Sequence, residues 1–162
     1  MPEKGTLERA RRSRREGKRP TTQAGEFIRE EVRHVRGGKH GARSTKQAIA
    51  VGLSKARRAG VKLGRPPAGA KAKTRKSAAY ATRAARGRRK ASPTRSRAIS
   101  RALKREGRGA VSARALAGQA RRAARRRGAT ARKAAARKAV ATKGPAVRKT
   151  AARKAATTRK AA

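Results

Sequence analysis

Residues 21–63 read TTQAGEFIREEVRHVRGGKHGARSTKQAIAVGLSKARRAGVKL. This stretch combines large apolar residues, charges of both signs and helix start and stop signals, whereas most of the chain is basic and rich in alanine. Apolar residues recur at helical spacing within residues 22–36 and again within residues 44–59. Because each helix needs a partner for its apolar face, we expect an antiparallel helical hairpin with a small core. We call residues 21–63 the hairpin head.

The ends of the two helices carry recognisable signals. Gly37 suits the end of the first helix, since glycine is common just past a helix C-terminus. Ser44 stands three residues before Gln47, which is the spacing of a capping box at the start of the second helix. Gly60 suits the end of that helix. The connection between the two helices is therefore predicted to run from residue 37 to residue 43.

The charge of the chain limits its possible partners. The 162 residues include 51 Lys and Arg against 7 Glu, which gives a net charge of +44. Aromatic residues make up 1% of the chain, so little apolar area can offset the entropy of ordering it. The composition indicates a polyanionic partner, which is most simply DNA or RNA.

The same composition bears on the compartment of the protein. The absence of cysteine removes disulfides, thiolate nucleophiles and cysteine zinc sites. No apolar run approaches the roughly 20 residues that span a bilayer, and the first residues contain no apolar core of signal-peptide length. We expect a cytoplasmic protein, on the nucleoid if it is bacterial.

The distribution of acid predicts the domain organisation. Six of the seven glutamates lie in the first 31 residues, and only Glu106 follows. The predicted fold class is all-α, with short helical hairpins, no large core and a disordered or extended basic tail. The segments are a mobile charged arm (1–20), the hairpin head (21–63), a basic linker that can form a helix (64–91), a weak basic hairpin of helices 93–106 and 112–127 (92–128) and a low-complexity tail (129–162).

The tail contains repeated Lys and Arg doublets. Two of the four steps between them are of five residues, from Arg132-Lys133 to Arg137-Lys138 and from Arg148-Lys149 to Arg153-Lys154. A step of five advances about 140° around a helix with 3.6 residues per turn. The doublets would therefore wind around the axis and leave no apolar stripe.

Residues that could perform catalysis or hold a metal are scarce. The chain has no aspartate and no cysteine, and its glutamates are explained by surface ion pairs. His34 and His40 are six residues apart, which fits no short helical metal pair. We expect His34 to pair with Glu30 and His40 to be a loop residue near phosphate. The prediction is a protein that is not an enzyme and has no metal, cofactor or small-molecule substrate.

The loop that reads GGKHGARST, residues 37–45, only partly resembles a phosphate-binding loop. It lacks the Walker pattern and follows a helix rather than a strand. Its glycines, Lys39, Arg43 and the helix start at Ser44 would nevertheless suit a nucleic-acid phosphate. The alternative is an ordinary helix connection with solvated charges.

Phosphate neutralisation is the predicted function. Since B-DNA carries one charge per about 1.7 Å, +44 could neutralise on the order of 44 phosphates, or about 22 base pairs. Sequence readout is poorly supported, because the chain has no asparagine to pair with adenine. We therefore predict non-specific DNA binding and compaction, with duplex DNA preferred over RNA. The predicted nucleic-acid-binding residues are Lys39, Arg43, Lys46, Lys55, Arg57, Arg58, Arg88, Arg89, Lys90, Arg125, Arg126, Arg127, Arg132, Lys133, Arg137, Lys138, Arg148, Lys149, Arg153 and Lys154.

Two other functions are compatible with a basic chain. One is an RNA-binding structural component of a ribosome-associated or other RNA particle, since basic extensions of this composition also thread through RNA. The other is a membrane-active cationic protein. The winding doublets argue against membrane action, because a helix on a membrane surface needs an apolar face.

Two resemblances add to this interpretation. The stretch EEVRHVRGGKHGARSTKQAIAVGLSKARRAGVKL (30–63), with SRAISRALKREGRGAVS (96–112), resembles a family of small basic proteobacterial proteins of unknown function. Members share a helix, a G-K-H-G-A-R-S loop and a Q-A-I-A helix in this order, and the resemblance implies no catalytic residues. The tail is similar to the Ala/Lys/Arg-rich tails of linker histones and bacterial histone-like proteins, which implies non-specific DNA association and condensation.

Overall fold

The computed structural model describes residues 2–87, 92–142 and 144–160. The fold is all-α as predicted, and the described residues contain no strand. The chain divides into two compact units, residues 1–117 and residues 118–162. The α-helices are α1 (Lys4–Arg15), α2 (Pro20–Arg36), α3 (Thr45–Arg58), α4 (Ala72–Ala84), α5 (Pro93–Lys104), α6 (Ala113–Arg126), α7 (Gly128–Thr142) and α8 (Pro145–Lys160), with a 3₁₀ turn at Gly109–Val111.

The two predicted helices of the hairpin head are present as α2 and α3, and they pack together. The α2 helix begins at Pro20, because proline at the first helical turn already has a helical φ and needs no hydrogen bond from its nitrogen. The α3 helix begins with the predicted cap, in which the backbone N–H of Gln47 donates to Ser44 Oγ at 3.2 Å. The Gln47 side chain in turn accepts from the backbone N–H of Arg43 at 2.8 Å. These local signals fix where the connecting loop starts and ends.

The core of the hairpin head consists of two small groups of apolar side chains. One contains Phe27, which is fully buried, and the other contains Val35 and Ala48. The helices can approach closely because Gly52 has no side chain. A Cβ at Gly52 would lie 2.8 Å from Ile28 Cα, which is too close for any other residue. Small residues thus allow a tight crossing where large apolar residues are few.

The first helix, α1, packs against α2. The sequence predicts a mobile arm here, and the structure differs. Thr6, Ala10 and Ser13 are buried on one face of α1, at spacings of four and three residues. These side chains are small or polar and give no hydrophobic signal, so their helical periodicity could not be recognised from hydropathy.

A second addition to the hairpin head comes from far along the chain. Residues 103–111, which we call the docked segment, lie against the 37–45 loop. The backbone N–H of Gly41 donates to the carbonyl of Leu103 at 2.8 Å, and that of Ala42 donates to the carbonyl of Gly107 at 3.0 Å. Val111 at the end of the segment is fully buried and packs with Val35. The sequence instead places residues 107–111 in the turn of a separate weak hairpin.

Gly41 is required for this docking. A Cβ there would lie 1.7 Å from the backbone oxygen of Glu106, whereas a Cβ at Gly107 would meet nothing within 4 Å. We expect Gly41→Ala to displace the docked segment and cost about 1.5–3 kcal/mol, the value of burying one valine. Gly107→Ala is the matched control and should change the free energy of unfolding by about 0.5 kcal/mol or less. Urea unfolding followed by circular dichroism measures both, and equal stabilities would contradict the docking.

The predicted second hairpin is confirmed only as two helices. No residue of α5 or α6 is buried, and Ile99 is 59% exposed. The two helices have too few large apolar side chains to bury appreciable area. The linker also contains a helix, α4, which packs on α3 through the buried Ala81.

The tail differs most from the expectation of a disordered or extended segment. It contains α7 and α8, which are separated at Gly144-Pro145. Alanine, arginine and lysine all have high helix propensity, so these residues favour a helix even where no core exists. The described side chains of this part are almost all exposed.

Candidate nucleic-acid interface

Most of the glutamates form ion pairs within the chain. Within the described residues, six of the seven glutamates form ion pairs with basic side chains. They are Glu3, Glu16, Glu26, Glu30, Glu31 and Glu106. By contrast, residues 118–162 contain sixteen Lys and Arg and no acid at all. The negative charge is thus concentrated in the first unit, and the second unit is purely cationic.

Lys55, a predicted nucleic-acid contact, is instead placed among carboxylates. Its Nζ lies 3.2 Å from Glu30 Oε1 and 2.8 Å from Glu31 Oε2, and both glutamates are buried. Burial alone would lower the pKa of Lys55, but Glu31 and Glu30 outweigh it and raise that pKa above its usual value. Lys55 therefore stabilises the hairpin head rather than lying on an open surface.

The pKa of Glu30 is likewise set by burial on one side and by hydrogen bonds on the other. Burial alone would raise its pKa, but hydrogen bonds from the Thr6 hydroxyl, the Glu3 backbone and Lys55 hold the pKa below its usual value. Glu30 stays ionised because α1 and α3 both supply donors to it. This buried carboxylate links three helices.

Lys39 is also engaged within the chain. Its Nζ donates to Glu3 Oε1 at 3.0 Å, and His34 Nε2 lies 2.7 Å from the same oxygen. The hydrogen bonds from His34 and Lys39 lower the pKa of Glu3 to about 2. The predicted pair of His34 with Glu30 exists only as a long contact of 4.0 Å, because Glu3 is the nearer partner.

Several backbone donors of the 37–45 loop are occupied as well. The amides of Gly41 and Ala42 donate to the docked segment, and the amide of Arg43 donates to Gln47. The Arg43 side chain is 82% exposed and pairs with Glu106 at 3.2 Å. The backbone of the loop therefore packs against other parts of the fold, whereas the Arg43 side chain extends into solvent.

The remaining predicted residues of the hairpin head lie on α3. Lys46 and Arg58 are exposed. Arg57 is half-buried, and its guanidinium donates to the carbonyl of Gly64 at 2.8 Å. Lys46 and Arg58 are thus the predicted α3 residues whose side chains face solvent.

A basic cavity next to α4 was not predicted. It has a volume of about 780 Å³, and its wall includes the apolar side chains of Leu63 and Pro66. Its five arginines are Arg57, Arg65, Arg75, Arg83 and Arg86. Arg75 and Arg83 lie on α4 and Arg86 just after it, so their spacing could have indicated a basic face there. Nothing in the sequence shows that residues 63–68 would lie against it.

The predicted residues of the second unit lie on and between its helices. The described side chains are exposed, and they are Arg125, Arg126, Arg127, Arg132, Lys133, Arg137, Lys138, Arg148, Lys149 and Arg153. Lys154 belongs to α8. Arg88, Arg89 and Lys90 lie outside the described residues. Cations occur on every side of α7 and α8, as the five-residue steps require.

The histidines were set aside as metal ligands from their spacing, and the structure brings them together. One ligand atom each of Glu31, His34 and His40 lies within 4.8 Å of the others. The loop after α2 turns back, so that residues six apart in sequence become neighbours. This cluster is the one group in the described part of the chain that could hold a metal ion.

Comparisons with known proteins bear on the first part of the chain. A family model described as a family of unknown function (DUF6496) matches residues 4–68, about two-fifths of the chain. This stretch contains α1, α2 and α3, but not the docked segment that completes their core. No curated protein and no solved structure matches the chain. Among the described residues, no helix is both long enough and apolar enough to cross a membrane.

Proposed function

We propose that this protein binds nucleic acid through its phosphates, prefers duplex DNA, and compacts it without sequence specificity, as histone-like proteins of the bacterial nucleoid do. The observation that carries the proposal is the separation of charge. The first unit pairs most of its acid internally, while the second unit exposes cations and has no acid. Release of the counterions condensed on DNA would supply most of the affinity.

The geometry of α7 and α8 supports compaction. Their cations occur all around each helix, so a helix that contacts one duplex presents further cations on its far side. Those cations can neutralise a second duplex and bring the two together. A helix with cations on one face alone could coat DNA but would bridge it less well.

The exposed cations of the first unit support a secondary contact. Lys46 and Arg58 on α3 are exposed, and the arginine-lined cavity beside α4 offers several guanidinium groups around a small apolar wall. Guanidinium groups bind phosphate through paired hydrogen bonds. We propose that this surface orients the chain on the nucleic acid and that the second unit supplies most of the affinity.

Competition between DNA and RNA tests the proposal. The purified chain, freed of nucleic acid, is bound to a labelled random-sequence duplex and challenged with unlabelled duplex or folded ribosomal RNA of equal phosphate number. We expect the duplex to compete at the lower concentration. If RNA competes better, and does so at high salt, the protein belongs to an RNA particle instead, because shape-specific contacts persist when phosphate contacts are screened.

A further inference from the structure

We propose that Glu31, His34 and His40 form a site for one Zn²⁺ ion that fastens the 37–45 loop to α2. Their ligand atoms lie within 4.8 Å of one another, on two parts of the chain that the site would join. Imidazole nitrogens favour zinc over magnesium or calcium. Two histidines and a glutamate make a known zinc ligand set that leaves the fourth position to water. The site does not depend on the proposed nucleic-acid binding.

The spacing between His40 and Glu31 suits a shared ion. His40 Nε2 lies 3.4 Å from Glu31 Oε1. Two ligands bound at about 2.0–2.1 Å to a tetrahedral ion lie about 3.3–3.4 Å apart. The distance between these two atoms therefore already matches a zinc site, and all three ligand atoms lie within 4.8 Å of one another.

The other nitrogen of each histidine has a partner of the kind that supports metal ligands. His40 Nδ1 lies 3.1 Å from the carbonyl of Gly41, and His34 Nε2 lies 2.7 Å from Glu3 Oε1. Lys39 Nζ also lies 3.2 Å from His34 Nε2. Both oxygens are acceptors, so when the two histidine nitrogens donate to them, the lone pair on the other nitrogen of each ring is left for a metal. Metal-bound histidines usually donate their second N–H to a carbonyl or carboxylate in this way.

The Glu31 carboxylate also has a partner, which contacts the oxygen that would not bind the metal. Lys55 Nζ contacts Glu31 Oε2 at 2.8 Å, while Oε1 is the oxygen that faces His40. Glu31 is buried, which limits its rotation. Three carboxylates, those of Glu3, Glu30 and Glu31, lie around the cluster, and Arg33, Lys39 and Lys55 pair with them.

Titration of the tag-free, full-length chain with Zn²⁺ or Co²⁺ tests the site. We expect one ion per chain by calorimetry, and the visible absorption of four-coordinate Co²⁺. His40→Ala should lower the affinity at least about tenfold without changing the helicity of the metal-free protein. Glu8→Gln removes an exposed carboxylate elsewhere on the first unit and should leave binding unchanged. Equal binding by wild type and His40→Ala, or no binding by wild type, would overturn the proposal.

Nuclear magnetic resonance of the wild-type protein gives a test that needs no variant. The chain has two histidines, so both imidazole signals can be assigned directly. One equivalent of Zn²⁺ should shift both signals, and further zinc should change neither. If the signals move only with excess metal, or one moves without the other, the three residues do not share an ion. In that case the contact between His40 and Glu31 holds the loop against α2 without a metal.

Discussion

Replacing Lys55 with methionine is expected to destabilise the hairpin head by about 3 kcal/mol, because it leaves two buried carboxylates without their cation. Glu30 and Glu31 are 0% and 1% exposed, and Lys55 is their shared partner. Methionine keeps most of the length of the lysine side chain, so the destabilisation reports charge rather than volume. We place the effect at the low end of the range for buried pairs, since the Lys55 side chain remains 21% exposed.

Lys46→Met is the matched control for this change. It removes the same charge from the same helix, but Lys46 is exposed, so the free energy of unfolding should change by about 0.5 kcal/mol or less. Urea unfolding can be followed through the ring signals of Phe27, which is fully buried and is the single phenylalanine of the chain. If both variants are destabilised equally, the buried ion pairs do not hold the hairpin head together.

A tail variant should show weaker nucleic-acid binding and a weaker salt dependence together. Exchanging Arg132, Lys133, Arg148 and Lys149 for glutamine removes four exposed cations from α7 and α8. Each phosphate that the variant no longer neutralises should reduce the slope of log K against log salt by about 0.9, or up to about 3.6 in all. Glutamine is also a good helix former, so the helices should persist. Fluorescence titrations at several salt concentrations measure the slope.

Conversion of Arg132 and Arg148 to lysine provides the control. Counterion release depends on charge, so this variant should keep the wild-type slope. A glutamine variant with an unchanged slope would show that the tail does not contact phosphate. A lysine variant with a reduced slope would show that guanidinium geometry matters, and the binding would then be more specific than we propose.

Local signals predicted the hairpin head well. The cap at Ser44 and the apolar spacing of α2 and α3 are properties of short stretches, and the structure confirms them. The docking of α1 could not be predicted in the same way, because Thr6, Ala10 and Ser13 form a buried stripe without hydrophobic residues larger than alanine. The docked segment was also missed, since backbone hydrogen bonds from Gly41 and Ala42 leave no sequence pattern.

The candidate sites also differ in how much of each is visible in a short stretch of sequence. Counting charges identified the basic tail, because the lack of acid there is visible in the sequence itself. Counting charges could not show that folding places a glutamate beside Lys55 and beside Lys39. Sequence spacing alone did not indicate that the 37–45 loop brings His34 and His40 close together. Pairing between distant residues is the information that composition cannot supply.

We propose that the full-length chain binds duplex DNA through phosphate charge. The most direct measurement is the salt dependence of its affinity for two duplexes of equal length and unrelated sequence. Ten or more phosphate contacts predict a log–log slope of about −9 or steeper, and the same slope and affinity for both duplexes. A slope near zero, or a strong preference for one sequence that persists at high salt, would contradict the account.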